Sequence, residues 1–269
     1  MIGVAFALHE TFGMANGTER IAFERVVYQF AGQRGLNIDS TVVERIARID
    51  DAALFSPATL AEAFSTAFGP TLLHGADATW LEALFRMTAA GAVGERFVPF
   101  DDVAPALHKI AALHVPRVAL SGGWPTIDQR KADLVGFEGS IIFAQDLGVA
   151  ASTPAAFARV ADALKLPADR IWFVASDAQG EILPAAAAGL RTIWVNRNAA
   201  EFPAGRTAPD ATIGSFAQLF DVLREPYARG LLTLRHILRT ALDWRPGHFI
   251  PVDDDPALDE PRSDAGDSP

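Results

Sequence analysis

The chain has 269 residues, of which half are hydrophobic and 21% are charged, and this composition excludes a disordered protein. It contains no cysteine, which excludes disulfides, thiolate metal sites and cysteine nucleophiles. The formal net charge of −10 at pH 7 argues against nucleic acid and membrane surfaces as partners, because both attract clustered lysine and arginine. The length predicts one core domain with a sizeable insertion.

The N-terminal run, Ile2–Leu8, has the apolar character of a buried strand. It lacks the basic segment and the cleavage site of an export signal, so we expect a cytoplasmic protein. No apolar run in the chain reaches about 18 residues, the length of a membrane-spanning helix, and no membrane span is predicted.

Four more short apolar runs predict strands in the second half of the chain, and a polar turn and a helical pattern follow each of them. Runs this apolar suit strands that are covered on both faces, as in a parallel sheet. The alternation of strands and helices predicts a doubly wound parallel α/β sheet with a Rossmann-like core, which the N-terminal strand joins. The four runs are Arg117–Leu120, Ser140–Phe143, Ile171–Ala175 and Thr192–Val195.

Residues 13–100 lie between the first and second predicted strands and carry a helical pattern. The spacing of apolar residues predicts a first helix that ends before Gly35. Ser56, followed by Pro57, predicts the start of another helix, and Thr79 predicts a third start as the first residue of a capping box. We expect these helices to form a cap over the carboxyl edge of the sheet, where open α/β sheets bind ligands.

The chain ends in two further segments. Residues 226–252 contain an amphipathic helix, at Tyr227–Leu242, with leucines on one face and arginines on the other. Such a stripe is most often packed within its own chain, and contact with a protein partner or with a second copy is the alternative. Residues 253–269 hold seven acidic residues and one arginine, and we expect a disordered acidic tail there.

Four sequence motifs resemble those of one family. Residues 3–12 read GVAFALHETF and resemble the GIAFDLYGTL opening of the L-2-haloacid dehalogenases, a branch of the haloacid dehalogenase (HAD) superfamily. Residues 118–123, VALSGG, are similar to the second motif of that branch, a strand that ends in Ser-Asn-Gly. Residues 173–180, FVASDAQG, resemble FVASNAWD, and residues 194–197, WVNR, resemble the closing W-[IV]-N-R signature.

The resemblance extends over about residues 2–222 and implies a division of the chain. Residues 1–12 and 101–225 would form the HAD-like α/β core, with residues 13–100 inserted as the helical cap. The resemblance does not account for the chain beyond about residue 225.

The resemblance also implies which residues should carry the family's chemistry. In the haloacid dehalogenase family, an aspartate at the end of the first strand attacks the substrate and forms a covalent ester. Ala7 stands at the matching position, Ala151 stands where the third motif has lysine, and Gly180 stands where the fourth motif has aspartate. We therefore expect a catalytically degenerate protein, a pseudoenzyme with a binding, regulatory or assembly role.

Polar residues near the motifs leave other readings open. A repurposed enzyme would use non-covalent acid/base chemistry in the cleft between cap and core, as a hydrolase, a lyase or a template for rearrangement of a hydrophobic small molecule. A weaker alternative is residual 2-haloacid dehalogenase activity through a displaced carboxylate such as Glu10. Each residue also has a structural interpretation, for instance Ser121 in a turn and Asp177 as a helix cap. The candidate cleft residues are His9, Glu10, Ser121, Gly122, Ser176 and Asp177.

Motifs for cofactors are missing from the sequence. The six histidines show no metal-ligand spacing, and no glycine-rich nucleotide motif occurs. Asp177 and Glu181 form a carboxylate pair of the kind that Mg²⁺ prefers, but Mg²⁺ sites in this family depend on the aspartate that Ala7 replaces. We predict a metal-independent protein without a cofactor, whose cleft would take a small hydrophobic or carboxylate ligand.

Overall fold

The computed structural model describes residues 1–69, 73 and 75–243. The predicted acidic tail and the last residues of the 226–252 extension lie outside this part of the chain. Among the residues described, no helix combines the length and the apolar character needed to cross a membrane.

The core is a parallel sheet that has six strands within the described residues. The strands are β1 (Gly3–Ala7), β4 (Arg117–Ser121), β5 (Ser140–Phe143), β6 (Ile171–Ala175), β7 (Arg191–Val195) and β8 (Ala211–Ile213). Their order in the sheet is β5-β4-β1-β6-β7-β8, and every neighbouring pair is parallel. The prediction of a doubly wound parallel sheet is therefore confirmed.

Both faces of the sheet are covered, which explains why the strands read as continuous apolar runs. All five residues of β1 are buried. Val4 and Phe6 belong to one buried cluster, together with Leu107 of the helix that precedes β4. Ala5 and Ala7 face the opposite way and pack in the second cluster. Alternate residues of one strand thus support helices on opposite faces of the sheet.

Outside residues 13–100, the described part of the chain has four short α-helices of 5 to 11 residues and one of 25 residues. Three of the short helices begin with a proline in the first turn, where its missing N–H costs nothing. The five helices are α5 (Val103–Ala112), α6 (Pro125–Leu134), α7 (Pro154–Leu164), α8 (Leu183–Ala187) and α9 (Leu219–Asp243).

Residues 13–100, which we call the insertion, leave and rejoin the core through a small antiparallel ribbon of β2 (Gly13–Met14) and β3 (Val98–Pro99). Phenylalanines hold the insertion helices together, and their buried cluster continues into the face of the sheet that carries Phe6. The division into core and cap stays a prediction. The helices are α1 (Thr18–Arg34), α2 (Ser40–Ala47), α3 (Pro57–Phe68) and α4 (Gly75–Arg96).

Local signals located two of these helix ends correctly and one wrongly. Gly35 ends α1 with a left-handed φ of 62°, and the Ser56 side chain caps α3. Thr79, by contrast, lies inside α4, which begins at Gly75. Asp77, in the first turn of α4, pairs with Arg34 of α1. This tertiary contact lies in the turn before Thr79, and a capping pattern, which considers only neighbouring residues, does not predict it.

The C-terminal helix also differs from its prediction. It begins at Leu219, eight residues before the predicted start, and runs through Pro226, where the proposed core and extension were to meet. The helix starts early because Leu219 and Leu223 are buried against the core. Strand β8 was not predicted, since its three residues are too few to form a recognisable pattern.

Arg197, in the WVNR motif, has a structural role. Its guanidinium donates two hydrogen bonds of 2.8 Å to the Asp102 carboxylate and stacks on Phe100, with 4.0 Å to the ring centroid. Asp102 also accepts bonds from the Ser215 hydroxyl and the Phe216 N–H. Burial alone would raise the pKa of Asp102, but these donors outweigh it and lower the pKa below its usual value. Asp102 thus joins the start of α5 to the loop after β7, through Arg197, and to the segment before α9, through Ser215 and Phe216.

Candidate functional site

A small cavity lies at the carboxyl edge of the sheet, beyond the ends of β1, β4 and β6. This is the edge at which doubly wound sheets bind ligands. The volume of the cavity is about 40 Å³, room for one or two water molecules. The residues that matter for its chemistry are Ala7, His9, Gly122, Ala151, Gly180 and Glu181.

Ala7, Ala151 and Gly180 come together around this cavity. Two methyl groups and a glycine without a side chain supply no nucleophile, no acid/base group and no side-chain ligand for a metal. The close packing restricts larger residues, because a Cβ atom on Gly180 would approach the Asp177 carboxylate to 2.3 Å. A Cβ atom on Gly122 would come within 3.3 Å of the Ala151 methyl. The centre of the predicted site is therefore small and apolar.

His9 and Glu10 follow β1 and are both exposed. The His9 ring lines the cavity and contacts the Phe55 ring of the insertion edge to face, with 5.1 Å between the ring centroids. Glu10 has a left-handed backbone, with φ of 49°, a conformation that favours glycine over residues with a side chain. Glu10 is not among the residues that line the cavity.

Ser121 does not line the cavity. Its side chain is buried, its hydroxyl donates a 2.5 Å hydrogen bond to Asp128, and it accepts a bond from the Gly123 N–H. The hydroxyl is thus committed to a carboxylate of α6, and of this motif only Gly122 reaches the cavity wall.

Asp128 belongs to a buried network of charges between α1 and α6. Lys131 of α6 contacts Glu19 of α1 at 2.9 Å and Asp128 at 3.2 Å, and all three side chains are at most 5% exposed. Burial alone would lower the pKa of Lys131, but the two carboxylates outweigh it and raise the pKa above its usual value. Lys131 does not line the cavity, so it does not occupy the space beside Ala7.

Ser176 and Asp177 are engaged with the backbone around them. The Ser176 and Thr11 hydroxyls lie 3.3 Å apart, and the Ser176 carbonyl accepts a bond from the Trp194 indole. Asp177 accepts bonds from the N–H groups of Gln179 and Gly180, at 2.9 and 3.0 Å. The Asp177 carboxylate therefore caps the π-helical turn over residues 178–182, as its structural interpretation anticipated.

Glu181 is the carboxyl group that faces the cavity. The sequence suggested it only as a partner for Asp177 in binding a cation. Burial raises its pKa to about 8, a bond from the Asp177 N–H opposes this shift, and the charges of Asp177 and Glu10 add to it. The wider π-helical turn at this point was not foreseeable from the sequence, and π-helical turns occur often at functional sites.

Replacing Glu181 with glutamine should stabilise the protein most at alkaline pH. Between the ordinary carboxyl pKa of 4.5 and about 8, the folded protein keeps a proton that the unfolded chain releases, so stability falls as the pH rises through this window. The glutamine variant lacks this loss. Its urea midpoint relative to that of the native protein should be higher at about pH 9 than at about pH 5. Equal differences at the two pH values would contradict the raised pKa.

The candidate residues do not converge as an acid/base site. Among the described residues, no hydrogen bond joins any two of His9, Glu10, Ser121 and Asp177. The residues do not fit a divalent cation either: Ala7 offers no ligand, and no group of three histidine, aspartate or glutamate side chains in the described part of the chain is placed to hold a metal ion.

The insertion is held against the core beside the cavity. The Trp124 indole, at the start of α6, donates a 2.6 Å bond to the Leu54 carbonyl, and the Gln145 amide donates a 2.9 Å bond to the Phe55 carbonyl. Trp124 also packs against Phe85 of α4. These contacts close one side of the cleft.

Comparison with known proteins yields a family match. A family model described as haloacid dehalogenase-like hydrolase matches residues 7–189. No curated protein matches the sequence significantly.

Solved structures show the same fold. A 2-haloacid dehalogenase from Pseudomonas syringae pv. Tomato DC3000 is 23% identical, with a TM-score of 0.63 over 84% of this chain and 99% of that chain. The L-2-haloacid dehalogenase RSc1362 is 20% identical, with a TM-score of 0.55 over 83% and 99%. The putative HAD-hydrolase YfnB from Bacillus subtilis, bound to magnesium, is 14% identical, with a TM-score of 0.59 over 83% and 98%. At these identities the likeness concerns the fold.

Proposed function

Because the chain belongs to the haloacid dehalogenase-like hydrolase family, we propose that it is a catalytically degenerate member, retained for a binding, regulatory or assembly role. The observation that carries the proposal is the cavity at the end of β1. Ala7, Ala151 and Gly180 surround it, where the motifs of the L-2-haloacid dehalogenases have aspartate, lysine and aspartate. A site without these groups lacks the nucleophile of the family's covalent mechanism.

The backbone at Glu10 supports the alignment on which this proposal rests. The motif has glycine at that point, and Glu10 adopts the left-handed conformation that glycine accommodates without strain. An alignment shifted by one residue would remove this agreement. In the unshifted alignment, Ala7, which lies three residues before Glu10, stands at the position of the nucleophilic aspartate.

A second candidate function rests on one pair of side chains. His9 and Glu181 both line the cavity, and the raised pKa of Glu181 would let it act as a general acid near neutral pH. This pair is the acid/base candidate of the cavity, since Ser121 and Asp177 are engaged elsewhere. The small volume of the cavity argues against a repurposed acid/base enzyme. The exposure of Glu10 argues against the other alternative, in which Glu10 acts as a displaced nucleophile.

We also propose that the protein is cytoplasmic. A further part of the proposal is that α9 binds a protein partner or a second copy of this chain. Leu231 and Leu232 of this helix are 49% and 66% exposed, which supports such a contact.

An assay of turnover tests the proposal. Purified full-length protein should release no halide from 2-haloacids and no phosphate from phosphate monoesters, with or without Mg²⁺. The His9→Ala, Glu10→Gln and Glu181→Gln variants serve as matched controls against a contaminating enzyme. Turnover that is abolished in any of them would overturn the proposal: loss in the His9 or Glu181 variant would favour the acid/base alternative, and loss in the Glu10 variant would favour a displaced nucleophile. Turnover that none of the three variants changes would identify a contaminant.

A further inference from the structure

A larger groove lies beside the small cavity, between the insertion and the core. Its volume is about 700 Å³, within the range of small-molecule sites. Ser56 and Arg86 line it from the insertion, and Trp124, Gln145 and Asp146 line it from the core. Gly122 borders both the groove and the small cavity, so the two spaces adjoin.

The apolar part of the groove is held rigidly. Trp124 is almost fully buried, and its indole is bonded to the Leu54 carbonyl. Pro125 opens α6, and Val149 and Ala150 follow the turn after β5. A rigid apolar wall of this kind lets a ligand bury a hydrocarbon group with little loss of side-chain freedom.

Two opposite charges line the groove without pairing with each other. Arg86 makes an ion pair with Glu82 at 3.7 Å, longer than a charge-assisted hydrogen bond, and its guanidinium lies 5.9 Å from the Trp124 ring centroid. Asp146 is exposed and has no hydrogen bond or ion pair with any residue that the structure describes. The cation stands on the insertion and the anion on the core.

We propose that this groove binds a small zwitterion with an apolar body, of the class of the hydrophobic amino acids. The ligand carboxylate pairs with Arg86, and its ammonium group pairs with Asp146. Its hydrocarbon group packs on the accessible apolar residues of the groove, which are Pro125, Val149 and Ala150. A ligand with only a negative charge would be attracted by Arg86 but repelled by Asp146 and Glu82. A ligand with only a positive charge would pair with Asp146 but form no ion pair with Arg86. This ligand class deepens the proposed binding role and rests on it.

Calorimetry with three matched probes tests the inference on the full-length protein. L-Phenylalanine carries both charges, 3-phenylpropionate carries only the carboxylate, and 2-phenylethylamine carries only the ammonium group. We expect L-phenylalanine to bind most tightly. Arg86→Met should weaken L-phenylalanine and 3-phenylpropionate about tenfold and leave 2-phenylethylamine unchanged, since a bond to a charged group contributes about 1.4 kcal/mol or more. Asp146→Asn should weaken L-phenylalanine and 2-phenylethylamine instead.

Two exposed variants control for general charge effects. Arg48→Met removes an insertion arginine that pairs with Glu44, and Asp162→Asn removes a core aspartate that pairs with Arg159, both outside the groove. Neither should change any affinity. Absence of L-phenylalanine binding at millimolar concentration, or equal affinity for the three probes, would overturn the inference. Binding is measured without turnover, so its failure leaves the degenerate-site proposal intact, and halide release would overturn that proposal alone.

Discussion

Replacing Lys131 with methionine is expected to lower the free energy of unfolding by about 3–5 kcal/mol. Lys131 is the cation between two buried carboxylates, Glu19 at 2.9 Å and Asp128 at 3.2 Å. Methionine has a similar length but no charge, so both carboxylates would remain buried without compensation. Urea denaturation at neutral pH measures the loss.

An exposed arginine provides the matched control for Lys131→Met. Arg48 pairs with Glu44 at 3.5 Å, and both side chains are mostly exposed. Arg48→Met should therefore cost less than about 0.5 kcal/mol. A loss of similar size in the two variants would contradict the assigned role of Lys131.

The pH dependence gives a second check on the Lys131 network. The pKa of Lys131 is raised in the folded protein, so its contribution to stability is complete below the ordinary lysine value of 10.5 and is lost as the pH rises above it. The native protein should consequently lose its stability advantage over Lys131→Met only in strongly alkaline solution.

Replacing Ala7 with aspartate is expected to destabilise the protein by about 2–4 kcal/mol, because it places a carboxyl group where burial penalises the charge. Ala7 is 2% exposed and borders a cavity that Glu181 already lines. Neither lysine nor arginine lines this cavity among the described residues, so the new carboxylate would lack a permanently charged cationic partner. Thermal and urea unfolding measure the effect.

Adding Ala151→Lys to Ala7→Asp should recover part of this loss, since Ala151 lines the same cavity. We expect a coupling energy of about 1–3 kcal/mol in the double-mutant cycle. Ala150→Lys is the matched control, because Ala150 is exposed and lines the outer groove. A coupling energy no larger with residue 151 than with residue 150 would show that residues 7 and 151 do not face one cavity.

These variants also bear on the proposed degeneration of the site. If Ala7→Asp is tolerated only together with Ala151→Lys, this result would support the proposal that an ancestral site held both charges and lost them together. The halide assay on the double variant would then show whether the remaining geometry still supports the family's chemistry. We expect that it does not, because the Ser121 hydroxyl is bonded to Asp128 and Ser121 does not line the cavity.

Local sequence patterns were sufficient for the sheet and for the family. The four apolar runs of the second half became strands within one residue of their predicted ends, because residues buried on both faces of a sheet must be apolar. The motifs at the ends of β1, β4 and β6 predicted the family, and the family model confirms that placement. The three small residues Ala7, Ala151 and Gly180 were identified by the same motifs.

The orientation of side chains was decided only by the tertiary structure. The sequence suggested Ser121 as a cleft residue, but in the folded chain its hydroxyl donates a hydrogen bond to Asp128 of the following helix. Glu19 and Lys131 are 112 residues apart in the chain, and no periodicity links them. Arg86 and Asp146 likewise meet one groove from different segments. Hydrophobic periodicity reports the surroundings of neighbouring residues, whereas the polar partners of a buried or cleft residue depend on which distant segments fold against it.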